Sequence, residues 1–163
     1  MYERILVPVD GSATSNAGLG EAIKLAGLTG AKLRLLHVVD EMPIVMSTSG
    51  FGAMSGDIFS ALTEEGKRVL EQARAQVEQS GITAETVLVD SLNGRLCDHV
   101  ATQASEWPAD LIVLGTHGRR GVGRLFLGSD AEQVARNAPV PVLLVRGVAT
   151  ATNGTPAAEA SAS

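Results

Sequence analysis

Apolar positions along this chain fall into two rhythms, and the two alternate. Unbroken runs such as Ile5-Leu6-Val7-Pro8-Val9 read as strands buried on both faces. Between the runs, apolar residues recur at helical spacing. After Asp10-Gly11-Ser12, a turn and helix-start signal, a helix is expected from about Ala13 to Leu28, with Leu19, Ala22, Ile23 and Ala26 on one face. Gly18 and Gly20 weaken it by about 1 kcal/mol each relative to Ala, which points to close packing on a sheet. Gly30 closes it, and Lys32 to Val39 form the second strand.

Residues 41–57 break the rhythm. Three methionines and three glycines without periodicity read as a long, partly apolar loop, suited to covering a ligand or packing on a second subunit. A helix is then expected from about Ile58 to Gln79, with Leu62, Val69, Leu70, Ala73 and Val77 in line and Gly81 just past its end. Glu85 to Val89 make the third strand, Asn93 to Ser105 a short helix, and Leu111 to Gly115 the fourth strand. Ser129 to Asn137 form the last helix and Val140 to Val145 the fifth strand.

Alternating strands and helices predict an α/β fold, an open parallel sheet with right-handed crossovers and helices on both faces. Ligands of such sheets bind outside the carboxyl ends of the strands, where the winding reverses. Pro141 lacks a ladder donor, which places the last strand at an edge, and an apolar edge invites pairing with a second copy.

Composition narrows the class. At 163 residues the chain makes one domain, expected over 1–147, followed by a low-complexity tail (148–163) too polar to order itself. Aromatics are only 3 % of residues, so Ala, Val, Leu and Ile build the core. A net charge of −5 without a basic run implies neither a nucleic-acid nor a membrane partner. The single cysteine, Cys97, reads as a buried small hydrophobe, and its solitude fits a reducing compartment. The chain enters its first strand directly and has no apolar run near the ~20 residues of a membrane span, so a cytoplasmic protein is expected.

The candidate chemistry sits late in the chain. Gly115-Thr116-His117-Gly118 follows the run Leu111-Ile112-Val113-Leu114; nine residues later comes Gly128-Ser129, at the start of a helix. Strand, glycine-rich loop and helix N-terminus together present backbone N–H groups to a phosphate. Arg119, Arg120 and Arg124 add forked donors for anionic oxygens. Ser129 also opens a capping-box pattern closed by Glu132, so its hydroxyl has two uses, cap and phosphate contact. Asp10-Gly11-Ser12 likewise reads either as a turn and cap or as part of a site. His37 ends a buried strand and reads as structural; His99, on a helix, reads as solvated. Trp107-Pro108 reads as the anchor of a loop.

The opening run Ile5 to Ser12, the stretch Asp110 to Arg119, and Gly128-Ser129 with Ala138 to Arg146 together resemble the universal stress protein family. The resemblance covers nearly the whole chain except the Met-rich loop and the tail. In that family, Gly-x2-Gly-x9-Gly-Ser/Thr marks the ATP-binding branch, and Gly115, Gly118, Gly128 and Ser129 satisfy it. The resemblance implies a Rossmann-like sheet of order 3-2-1-4-5, a homodimer through the last strand, and a nucleotide-dependent regulatory role in the stress response. By position, Asp10 and Val38 would contact adenine, Pro8 and Val9 would line its pocket, and Gly115 would approach the ribose. Thr116, His117, Gly118, Arg119, Arg120, Gly128 and Ser129 would hold the phosphates, with Asp130 adjacent and Mg²⁺ or Mn²⁺ carried by the phosphates. The rival is a slow ATPase or a phosphoryl or adenylyl transferase in the same pocket. Against fast transfer stands the lack of a Gly-x4-Gly-Lys-Ser/Thr loop.

Overall fold

The computed structural model describes residues 1–39, 55–90, 94–116 and 128–147. The alternation in the sequence becomes, in order, β1 (Arg4–Pro8), α1 (Ala13–Thr29), β2 (Lys32–Val39) and α2 (Ser55–Gln79). Then follow β3 (Ala84–Asp90), α3 (Leu96–Glu106), β4 (Leu111–Gly115), α4 (Ser129–Asn137) and β5 (Val142–Val145). The strands form one parallel sheet in the order β3-β2-β1-β4-β5, as expected. Ile5 of β1 is flanked by Leu33 of β2 and Leu111 of β4.

Successive strand side chains point to opposite faces, so each central strand feeds two cores. Ile5, Val7, Val9, Leu33 and Leu35 pack with Leu19, Ala22 and Ala26 of α1 and Val69, Leu70, Ala73 and Val77 of α2. Leu6, Leu36 and Ile112 face the other way, onto Cys97, Val100, Ala104 and Trp107 of the α3 region and Ala131 and Val134 of α4. The near-continuous apolar runs are the signature of strands covered on both sides. Trp107 closes α3 and lies under the Arg34 guanidinium, 4.7 Å from its ring centre, while Pro108 O accepts from Arg4 Nε at 2.8 Å. The Trp107-Pro108 turn is thereby fixed to β1 and β2.

Several expected boundaries move for local reasons. α2 begins at Ser55, three residues ahead of Ile58. α3 begins at Leu96 and not near Asn93, because Gly94 stands at φ +137, a conformation no helix contains, and Arg95 is the extended cap. β5 begins at Val142: Pro141 contributes only its carbonyl, which accepts from Ile112 N at 3.0 Å. Gly18 meets the packing expectation, since a Cβ there would stand 3.0 Å from Gly115 N. Gly20 does not: nothing lies within 4 Å of its Cβ position. Residues 41–54 of the Met-rich segment and the 148–163 tail lie outside the described residues.

Candidate functional site

The strand order reverses between β1 and β4, and the carboxyl ends of those two neighbours meet the start of α1. At the end of β1 the chain turns through Gly11 at φ +78, where a side chain would be strained. Asp10 Oδ1 accepts from Ser12 N at 2.9 Å, and Ser12 Oγ accepts from Ser15 N at 3.2 Å, capping α1. Ser15 Oγ in turn accepts from Asp10 N at 3.1 Å. The turn-and-cap reading of Asp10-Gly11-Ser12 is therefore correct locally, and it holds the Asp10 side chain in one place.

Pro8 and Val9 are buried beside this turn, with Val9 N–H donating to Leu36 O at 2.8 Å. Peptide groups alternate their direction along a strand. The Val38 amide and carbonyl, two residues past Leu36, thus point to the same side as Leu36 O, beyond the end of β1. His37, on the opposite face, is buried and donates from Nδ1 to Val9 O at 2.7 Å.

On the other flank, Gly115 ends β4 against the first turn of α1. A Cβ at Gly115 would collide with the Thr14 carbonyl oxygen and stand 2.9 Å from Ser15 N. The glycine that opens the spacing motif is thus required by the fold itself. Thr116, buried, continues the sheet by donating from N–H to Val145 O at 2.9 Å, and its carbonyl accepts from Gly128 N at 2.8 Å. That last bond seats the N-terminus of α4 at the carboxyl end of β4. Gly128, at φ −59 and ψ 145, is the cap of α4, and Glu132 N donates to its carbonyl at 2.9 Å. Ser129 is consequently the first helical residue and not the cap; the capping-box expectation was one residue out of register. Asp130 and Glu132 are the acidic residues of this first turn.

The structure thus gathers Pro8, Val9, Asp10 and Val38 on one flank of the strand-order reversal, and Gly115, Thr116, Gly128, Ser129 and Asp130 on the other. His117, Gly118, Arg119, Arg120 and Arg124 lie outside the described residues. Outside the crevice, His99 is not solvated as expected: it is half-buried against Gly94, and its Nε2 is buried without a partner among the described residues. Cys97 is buried, and that burial, helped by Asp98, pushes its thiol up, away from a reactive thiolate. The neighbouring Arg95 hydrogen-bonds Asp98 and holds its carboxyl below the ordinary range. Sequence reasoning expected Gly18 to pack closely on the sheet without naming Gly115 as its partner, and it missed the work of Ser15.

A parallel sheet of order 3-2-1-4-5 whose winding reverses between β1 and β4, with Gly11, Gly115 and Gly128 at that end, defines an open α/β class whose ligands bind outside the carboxyl ends of the strands. The model of the Universal stress protein family matches residues 1–146. The chain belongs to the universal stress protein family. It is 34 % identical over 147 residues to Universal stress protein MJ0531 of Methanocaldococcus jannaschii, covering 90 % of this chain and 83 % of the relative. Its fold superimposes on the solved structure of MJ0577 with a TM-score of 0.75 at 29 % identity, over 90 % of this chain and 96 % of that one. A universal stress protein solved in complex with cAMP superimposes with a TM-score of 0.65 at 26 % identity, over 90 % of this chain and 98 % of that one.

Proposed function

We propose that this protein is an ATP-binding regulatory module of the stress response, which loads the nucleotide at the β1–β4 reversal and changes its protein contacts when loaded. The observation that carries the reading is the Gly128 N–H to Thr116 carbonyl bond of 2.8 Å, which aims a helix N-terminus at the crevice. A relative of the same fold holding cAMP supports an adenine nucleotide as the ligand class. The base would lie along Pro8, Val9, Asp10 and Val38, and the ribose near Gly115. The phosphates would be held along Thr116 to Arg120, Gly128 and Ser129; the Thr116 and Gly128 amides already donate to Val145 O and Thr116 O, so the donors would be the Ser129 N–H and hydroxyl and the residues His117 to Arg120.

Asp130 in the first turn of α4 favours the empty helix and opposes a bound anion. The loop arginines and a divalent ion would offset that repulsion. Mg²⁺ or Mn²⁺ would ride on the phosphate oxygens, neutralising charge there. We place the working protein in the cytoplasm, in line with its single cysteine, and as a homodimer through the last strand. Support for the dimer is the apolar edge strand β5, whose Leu143 is 37 % exposed.

The test is chromatography and mass spectrometry of nucleotide released on denaturing the purified protein, repeated after incubation with ATP and Mg²⁺. Intact ATP held for hours is the expected result. Release of no nucleotide, together with no uptake of added ATP, would overturn the proposal, and ADP accumulating in step with protein would favour the enzyme reading.

A further inference from the structure

The ladder between β1 and β2 stops one rung early, and a side chain fills the place. Pro8 pairs with Leu36, and the Leu36 carbonyl accepts from Val9 N–H at 2.8 Å. In a regular parallel ladder the next rung would run from the Val38 amide to the Val9 carbonyl. No backbone hydrogen bond joins them. The Val9 carbonyl accepts instead from His37 Nδ1, at 2.7 Å. A carbonyl can only accept, so Nδ1 carries the hydrogen. The ring is buried and built into the fold: it lies over Gly66 of α2, where a Cβ would stand 2.7 Å from His37 Cδ2 and 2.8 Å from Leu88 Cδ1.

We infer that His37 is a positioning residue for the ligand: by taking the Val9 carbonyl, it keeps the Val38 amide out of the sheet and leaves that N–H for an acceptor nitrogen of the base. The inference rests on the nucleotide reading only for what the amide binds. Three further bonds fix the same corner, through Val9 N, Asp10 N and Asp10 Oδ1. His37 is the group that decides whether β1 and β2 zip further. Without its donor, the Val38 amide has the Val9 carbonyl as its nearest in-register acceptor, and the subsite closes by one rung.

Two variants separate this role from plain packing. His37→Asn keeps a side-chain N–H at the position of Nδ1 but loses buried volume. His37→Leu keeps apolar volume and removes the donor. Amide exchange by NMR on the ligand-free full chain, AMP affinity by calorimetry, and thermal melting are the readouts. In the wild type and His37→Asn, the Val38 amide should exchange faster than that of Leu36, which lies within the ladder. In His37→Leu, Val38 exchange should slow by about tenfold or more and AMP should bind about tenfold more weakly, although this variant melts no lower than His37→Asn. Gly66→Ala, which pushes the ring, should move both readouts in the direction of His37→Leu. Unchanged Val38 exchange and AMP affinity in His37→Leu would overturn the inference, as would affinities that simply follow melting temperature. A wild type that binds neither AMP nor ATP would sink the nucleotide reading instead, and the exchange arm alone would then decide the role of His37.

Discussion

The two strand ends that flank the crevice are built by different means. At the end of β1, side chains do the holding: Asp10, Ser12, Ser15 and His37 each bond a main-chain group of the turn. At the end of β4, main-chain bonds among the described residues, Thr116 N–H to Val145 O and Gly128 N–H to Thr116 O, surround a glycine that tolerates no Cβ. The first flank is shaped and directional, which suits a planar base. The second sets a helix N-terminus beside glycines at the strand end, which suits phosphates. Side-chain substitutions should therefore grade the first flank, whereas added atoms should break the second outright.

The largest effect is expected at Gly115. Gly115→Val must displace the Thr14 carbonyl and the first turn of α1, at a cost of about 3 kcal/mol or more, so the variant should melt far below the wild type by circular dichroism. A near-normal melting temperature would mean that this glycine serves a ligand and not the fold. Gly128 is the contrast, because its φ of −59 suits any residue. Gly128→Val should keep the fold and lose ATP binding by about a hundredfold or more in calorimetry, since its side chain would occupy phosphate space; equal affinity would remove α4 from the site.

Next in size is the edge strand on which the main-chain flank leans. Leu143→Asp puts a charge on the half-exposed face of β5 and should give monomer by light scattering, with ATP affinity kept. A persistent dimer would move the interface elsewhere. The smallest effect is expected far from the crevice, where Arg34 holds Glu85 at 2.5 Å and lowers its carboxyl below the usual 4.5. A carboxyl lowered in the folded state stabilises above its unfolded value, and that contribution is lost as pH falls through the folded one. Glu85 is more than half exposed, so Glu85→Gln should cost under about 1 kcal/mol at pH 7, vanish in acid, and leave ATP affinity untouched. A larger change in affinity would show that the far half of β2 communicates with the crevice.

Much of this was legible in the chain itself. Sequence marked every strand to within a residue or two; the central strands β1 and β4 read as unbroken apolar runs because strands buried on both faces leave little room for polar residues. The glycine spacing located the crevice but not the reason for each glycine. Gly115 answers to α1, a contact with residues about a hundred positions away that no local pattern encodes. Ser129 looked like a cap because its residue type fits one, yet the bond to Thr116 draws Gly128 into that position. His37 looked structural, and it is buried and bonded. What sequence could not display is that its bond stands where a ladder rung would be, since that depends on the register of two separate strands.

The central claim is that an adenine nucleotide sits where β1 and β4 end, and chemical-shift mapping by NMR during titration with AMP tests it most directly. The account predicts shifts clustered at Val9 to Gly11, Val38, Gly115, Thr116 and Gly128 to Asp130. Shifts gathered instead at the opposite end of the sheet, in the open depression lined by Met1, Tyr2, Thr29 and Asp110, or no shifts at all, would contradict it.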